Sequence, residues 1–381
     1  MKRTSYVRRT KVLAVTSVLG VLALAACGGV PANDPSGGAA PGGGDGDGGL
    51  ADVEAQVEGL SADERQAKLV ELTEAEGNVV NLYTSAGTEI TEPLMAAWKE
   101  QFPDIRVDVY RAGSDTVQQR VLQEVEAGKP GFDVIETNGP QLEAIAREKA
   151  LADYDSPLED GLVDGSQNGP WTATRLLEFH VSWNTNLVAA GDEPTSWEDL
   201  ADPRWQGKLV MEINDVDWFK TLYEYLRDEK GMAQADIDTM FAAMAHNASF
   251  VDGHSLMGQT LAAGQYAVAS SNYLYVTLDL QRDGAPVAYE PTVEPMIVRP
   301  NGAGVSAAPL HPAGALLLMD WMLGDGQQVL KDLGLTPSRA DLSSNEGVEE
   351  VFVDVGDYLD NLQEWTDRYQ ELAREGQIVT Q

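Results

Sequence analysis

Between Gly77 and Leu151 the chain alternates apolar runs of strand length with longer amphipathic runs, three times over. Few folds accept that order. "NVVNLYTSAG" reads as a short buried strand ending in small residues. "TEPLMAAWKEQFP" reads as a helix with Thr91 as its cap and Pro103 as its stop. "IRVDVYRAGS" alternates like a strand and "DTVQQRVLQEVEAGKP" is a second helix. "FDVIETNG" is a further buried strand and "PQLEAIAREKAL" a third helix. Parallel strands need a long crossover, which a helix supplies. The order therefore predicts βαβ units, and so an α/β sheet with helices on both faces.

The second part repeats the grammar. "RLLEFHVSWNTNLV" reads as a strand, "SWEDLADPRWQGKLVME" as a helix then a strand, and "GMAQADIDTMFAAMAHN" as a helix. "QYAVASS" is again a strand, "EPMIVRPNGAGVSAA" one or two strands, and "HPAGALLLMDWMLGDGQQVL" a helix. The C-terminal "VDVGDYLDNLQEWTDRYQELAREG" is helical. Ahead of all this, residues 51–76 form a helical segment in which Ser61 and Glu64 have capping-box spacing, and Gly77 ends it.

Five strands end in "TSAG", "RAGS", "ETNG", "EIND" and "ASSN". Open α/β sheets bind ligands beyond the carboxyl ends of their strands, where helix N-termini offer free N–H groups. Thr84, Ser85, Ser114, Asn138 and Asp215 lie on these ends, and Tyr273 and Tyr275 follow the last. All seven are candidate ligand contacts. Ordinary helix caps favour the same small residues, so both readings stand. Glu212, Asp215 and Asp217 could pair with a cationic solute or form a solvated turn.

The N-terminus has Lys2, Arg3, Arg8, Arg9 and Lys11, then the apolar "VLAVTSVLGVLALAA", then Cys27, the one cysteine in the chain. This order describes a signal peptide over residues 1–26. "LAAC" resembles the lipobox of bacterial lipoproteins, which implies lipid on Cys27. Arg8-Arg9 lacks most of the twin-arginine pattern, which favours Sec export. Residues 27–50, rich in glycine, read as a flexible tether. The chain is then anchored rather than spanning, on the extracytoplasmic face of the cell membrane. Without the five basic residues of the leader, 61 acids outweigh the remaining bases by about 40 charges. Such a surface repels nucleic acid and excludes it as a partner.

No catalytic constellation emerges. His180, His246, His254 and His311 are scattered, without HExxH or CxxC. There is no GxSxG and no GxxxxGK[ST], and the reading is of a chain that is not an enzyme and has no cofactor.

"EGNVVNLYTSAGTEITEPLMAAWKEQFPDIRVDVYRAGSDTVQQRVLQEVEAG" resembles the opening of family 1 extracellular solute-binding proteins of ABC importers. "FDVIETNGPQLEAI", "TSWEDLADPRWQGKLVME", "AAGQYAVASSNYLY" and "PNGAGVSAAPLHPAGALLLMDWMLGDGQQVL" continue the likeness in order, over roughly Gly77 to Asp341. It implies the two-lobed type 2 periplasmic-binding-protein fold, with a ligand cleft between lobes joined by crossing strands. Residues 77–175 plus 290–340 would form lobe 1, and 176–289 plus 341–381 lobe 2. It implies a monomer that hands a small-molecule or metal ligand to permease and ATPase subunits.

The nearest branch resembles the ferric-iron binders, where adjacent tyrosines follow the strand matched by "QYAVASSN". Tyr273 falls on the first such position. Leu274 takes the second, with Tyr275 one later. Both phenols would be metal ligands only if the cargo is ferric iron. The branch's histidine and glutamate fall on or near Gly87 and on Asn138, which cannot supply them; Glu89 and Glu136 lie nearby. The branch includes members that hold iron with fewer protein ligands and a bound anion, so the resemblance keeps ferric iron or an iron-like charged ligand in the lead. A polyamine, phosphonate or sugar-related solute is the alternative, ahead of a sensory lipoprotein or an enzyme on the same fold. With "QYAVAS" as strand and Ser270, Ser271 or Asn272 as cap, Tyr273 opens a helix running toward Gly284 and points into the cleft. Tyr275, two residues along that helix, would face elsewhere.

Overall fold

The computed structural model describes residues 49–343, 345, 347–375 and 377–378. The expected signal peptide, Cys27 and all but the last two residues of the tether lie outside the described residues. Two helices open the described chain, α1 (Leu50–Val57) and α2 (Ala62–Ala75). Ser61 Oγ accepts from the Glu64 amide, and the Glu64 carboxylate accepts from the Ser61 amide, which is the expected capping box.

The first half then runs β1 (Val79–Thr84), α3 (Thr88–Gln101), β2 (Arg106–Arg111), α4 (Ser114–Glu126), β3 (Val134–Asn138) and α5 (Gly139–Arg147). The short β4 (Gln167–Asn168) leads into β5 (Trp171–Asn184). The second half is β6 (Leu209–Glu212), α6 (Val216–Asp228), α7 (Gln234–Asn247), β7 (Ala248–Val251), α8 (His254–Ala262), β8 (Val268–Tyr273) and α9 (Leu274–Arg282). The chain returns through β9 (Val287–Ala288) and β10 (Met296–Val305). It continues as α10 (Pro312–Leu323), α11 (Gly326–Asp332), β11 (Thr336–Pro337) and β12 (Glu350–Phe352). It closes with α12 (Val355–Asp360), α13 (Leu362–Glu375) and β13 (Gln377–Ile378).

The long strands β5 and β10 occupy the middle of one continuous sheet, ordered β13-β7-β6-β8-β5-β10-β3-β1-β2. β1 pairs in parallel with β2 and β3, and β6 in parallel with β7 and β8. Each set meets a central strand in antiparallel register. Asn138 of β3 stands opposite Asn301 of β10, which stands opposite Arg175 of β5. Tyr273 of β8 stands opposite Phe179 of β5. The two parallel sets therefore aim their carboxyl ends at each other. The four residue steps of β5 from Arg175 to Phe179 separate them by roughly 13 Å at ~3.3 Å per residue.

Some expectations change. All five quoted strand ends do precede a helix, but α3 starts at Thr88 with Gly87 at its cap, so Thr91 lies inside the helix. "SWEDLADPRW" forms two 3-10 turns, Glu198–Ala201 and Pro203–Trp205, instead of a helix. Asp202, ahead of Pro203, is held out of the helical region and caps the second turn through Arg204 N–H. "EINDVDW" is not a solvated turn. Asp215 is the cap residue of α6, and Glu212, Asp215 and Asp217 are each at most 3% exposed. Every residue of α10 is buried, because α2 covers the side that the sheet does not.

Candidate ligand cleft

Alternation along β5 puts Arg175, Leu177 and Phe179 on one face. Their cross-strand partners Asn301, Arg299 and Ile297 on β10, and Tyr273 on β8, share it. This face is the floor between the two sets of strand ends. Two arginines, each the one Lys or Arg of its strand, thus lie diagonally across the β5–β10 pair on it.

Each arginine is held by a carboxylate from a different half. On the first side, Arg175 Nε donates to Glu136 Oε1 at 3.3 Å while Nη2 lies 3.2 Å from the same oxygen, and Thr84 Oγ1 donates to Glu136 Oε2 at 2.5 Å. On the second side, Arg299 Nη1 donates to Asp217 Oδ2 at 3.1 Å and Nη2 donates to Tyr273 Oη at 2.5 Å. Arg299 Nε is buried and has no hydrogen-bond partner among the described residues. Burial alone would lower the Arg299 pKa, but Tyr273 and Asp217 raise it above its ordinary value.

Of the expected residues, Ser114 meets Asn138 and Tyr273 meets Tyr275, while the others pair with neighbours in their own half. Ser85 Oγ accepts from Thr137 Oγ1 at 2.8 Å, and Ser114 Oγ accepts from Asn138 Nδ2 at 3.0 Å. Asn138 also meets the Asn301 carboxamide at 2.9 Å. Asp215 accepts from Ser271 Oγ at 2.5 Å and lies 3.0 Å from His254 Nε2. Tyr273 is the cap residue itself, with extended backbone at φ −76° and ψ 137°, and α9 begins one residue later than expected. That extended residue removes the helical rotation between Tyr273 and Tyr275. Their rings stack at 5.8 Å and 23°, so Tyr275 does not face elsewhere. Burial raises the Tyr275 pKa, Arg175 pulls it down, and Asp279 and Glu89 push it up.

Burial also pushes the Tyr273 phenol well above its ordinary value, against the pull of Arg299. Asp215 and Asp217 add to the rise. The phenol oxygen already accepts a hydrogen bond from Arg299. Among the described residues, no group of three or more His, Cys, Asp or Glu is placed to hold a metal ion. The sequence reading passed over Arg175, Arg299 and His254. For the arginines a signal existed: a single cation inside a strand as apolar as "TATRLLEF" or "MIVRPNG" must be buried and paired. For His254 in "DGHSL" there was none.

Residues 133–353, more than half of the chain, match the family model described as bacterial extracellular solute-binding protein. The chain belongs to that family. Among curated proteins, none matches the sequence. Solved structures share the fold of this solute-binding protein. Iron-bound HitA from Pseudomonas aeruginosa is 18% identical with a TM-score of 0.61, over 77% of this chain and 99% of that one. A Trichodesmium protein (IdiA, FutA) in complex with iron and citrate is 18% identical with a TM-score of 0.63, over 77% and 99%. AfuA from Actinobacillus pleuropneumoniae, with fructose-6-phosphate bound, is 16% identical with a TM-score of 0.61, over 77% and 98%. These neighbours are two-lobed periplasmic binding proteins, and the two opposed strand sets correspond to that architecture. Membership makes this a transport-associated binding protein of ABC importers, of a kind that acts outside the cytoplasm on a small ligand. No helix among the described residues is long and apolar enough to cross a membrane.

Proposed function

We propose that this solute-binding protein captures a small organic anion, carrying phosphate, phosphonate or carboxylate, between its lobes and delivers it to an ABC permease and its ATPase. The observation that carries the reading is the pair Arg175 and Arg299 on one face of the crossing strands, with the buried Arg299 Nε–H lacking an acceptor. A buried donor without a partner costs about 1–3 kcal/mol, which a ligand oxygen would recover. Each guanidinium is already neutralised by one carboxylate, so the ligand needs oxygen acceptors more than high charge. Thr84, Ser85, Ser114 and Asn138 line the lobe 1 side, and Asp215, Tyr273 and Tyr275 the lobe 2 side. Lobe 1 comprises residues 77–175 plus 290–340, and lobe 2 residues 176–289 plus 341–381. The receptor works as a monomer, anchored through lipid on Cys27 at the extracytoplasmic face.

This reading reverses the order of ligands expected from the sequence. Iron now follows, because the Tyr273 oxygen is already taken by the Arg299 hydrogen bond. The test is calorimetry and thermal unfolding with sugar phosphates, phosphonates, carboxylates, polyamines, Fe³⁺ alone and Fe³⁺ with citrate. An anion should raise the unfolding temperature by mass action, and Arg175→Gln and Arg299→Gln should each abolish the shift. A visible charge-transfer band with Fe³⁺ alone, lost in Tyr273→Phe, would return iron to first place.

A further inference from the structure

Tyr273 is gripped from several sides at once. His254 lies face to face with it, ring centroids 3.6 Å apart and planes 15° apart. Phe179 is tilted against both rings, at 5.2 Å from Tyr273 and 5.9 Å from His254. The imidazole is itself fixed. Its Nε2 sits 3.0 and 3.2 Å from the two oxygens of Asp215, and Ser271 Oγ donates to that carboxylate at 2.5 Å. Asp215 and Ser271 are 2% and 0% exposed.

Local chain geometry explains why a histidine can sit there. Gly253 has φ +100°, a left-handed turn between the end of β7 and the first residue of α8. The Gly253 amide donates to Glu212 Oε1 at 3.0 Å, so β6, the turn and α8 are tied together. His254 therefore starts its helix at a fixed place, next to the α6 cap residue Asp215.

We infer that His254 is a positioning residue for ligand capture: paired to Asp215 and stacked on Tyr273, it fixes the phenol so that its hydroxyl accepts from Arg299 and donates its own proton to a ligand oxygen. The inference rests on the anionic-solute reading and deepens it. A phenol oxygen that accepts from a guanidinium keeps its O–H free for another acceptor. Arg299 Nε and the Tyr273 hydroxyl then present two donors to the same solute. His254 touches no ligand in this scheme. It narrows the freedom of the side chain that does, which lowers the ordering cost of binding.

The test uses two readouts on the whole protein. Ring-¹³C-tyrosine NMR, with Tyr273 assigned by its loss in Tyr273→Phe, reports the stack through the ring-current shift of the imidazole. Calorimetry with fructose 6-phosphate and with inorganic phosphate as probes reports capture. His254→Ala should move the Tyr273 resonances toward those of free tyrosine. It should also weaken probe binding about tenfold, the size of one lost hydrogen bond to a charged group. His254→Phe restores a ring without the Asp215 pairing, and should recover the shielding and part of the affinity. If His254→Ala leaves the Tyr273 resonances where they were, or moves them while probe affinity stays within about twofold of wild type, the positioning role is wrong although the anion reading survives. If the wild-type protein binds neither probe nor any other anion of the panel, both fall.

Discussion

Arg65 and Asp320, 255 residues apart in sequence, form an ion pair of 2.7 Å with both side chains under 10% exposed. Tyr154 donates its hydroxyl to the other oxygen of Asp320. The pair bolts the N-terminal α2 to α10, and so to the sheet of the first lobe. Asp320→Asn would leave a buried guanidinium without its counter-charge, and such losses run to about 3–5 kcal/mol. Urea unfolding should show a fall of that size. The double replacement Arg65→Met with Asp320→Leu should lose much less. A single-variant loss below about 1 kcal/mol would mean that the pair is effectively solvated.

Gly302 on β10 sits at the register shift where β10 crosses β5. A Cβ there would lie 2.3 Å from the Thr172 carbonyl oxygen and 2.9 Å from the Trp171 ring. Neither can give way without moving a crossing strand. Gly302→Ala should therefore cost at least about 1–3 kcal/mol, as overpacking does. It should also alter ligand affinity, because β5 carries Arg175 three residues on from Thr172. Retention of wild-type stability and affinity would show that the crossing is softer than its contacts imply.

Glu178 points away from the cleft, on the back face of β5, 2% exposed. Burial pushes its pKa to about 7 from 4.5, partly offset by Thr336 and Asn345, while Glu350 adds to the rise. A folded value above the unfolded one means that the favourable protonated state is fully present below pH 4.5 and is lost as the pH rises toward 7. At pH 8 the buried charge costs on the order of 3 kcal/mol. Glu178→Gln should thus stabilise the protein at pH 8 and change little at pH 4. Equal effects at the two pH values would contradict a buried charge.

Much of the fold was legible because the first half obeys simple periodicities. The apolar runs "NVVNLYT" and "FDVIETN" became β1 and β3, and the capping box at Ser61 appeared where its spacing placed it. Helix α6 was missed for a physical reason. Its polar residues Asp217, Lys220, Thr221, Glu224, Arg227 and Asp228 do recur at helical spacing, but ten of its residues are buried and the acids ahead of it imitate a solvated turn. The cleft was half legible. Strand ends named loops that flank the floor, since small polar residues both cap helices and admit ligands. The arginines that organise the floor come from the middles of crossing strands, and only the register between β5 and β10 brings them together. Likewise the common facing of Tyr273 and Tyr275 depends on where α9 starts, a one-residue matter that pattern alone does not resolve.

His180, on the same back face as Glu178, carries the opposite pH signature. It is fully buried, stands edge-on to Tyr289 at 5.2 Å, and neither ring nitrogen has a hydrogen-bond partner among the described residues. Burial lowers its pKa to about 3 from 6.5, with the backbone of Asn272 and Glu178 offsetting a little. A depressed folded value means that the neutral imidazole's stabilisation is full above pH 6.5 and is lost as the pH falls toward 3. Between pH 7 and pH 4.5 this one residue should remove about 2–3 kcal/mol. His180→Phe deletes no formed hydrogen bond, so its cost at pH 7 should be limited to overpacking of about 1 kcal/mol. At pH 4.5 the variant should be more stable than wild type. The check is the difference in urea midpoint between the two proteins, taken at both pH values so that the opposing titration of Glu178 cancels. A difference that does not change between pH 7 and pH 4.5 would mean that His180 reaches solvent in the folded state and protonates there.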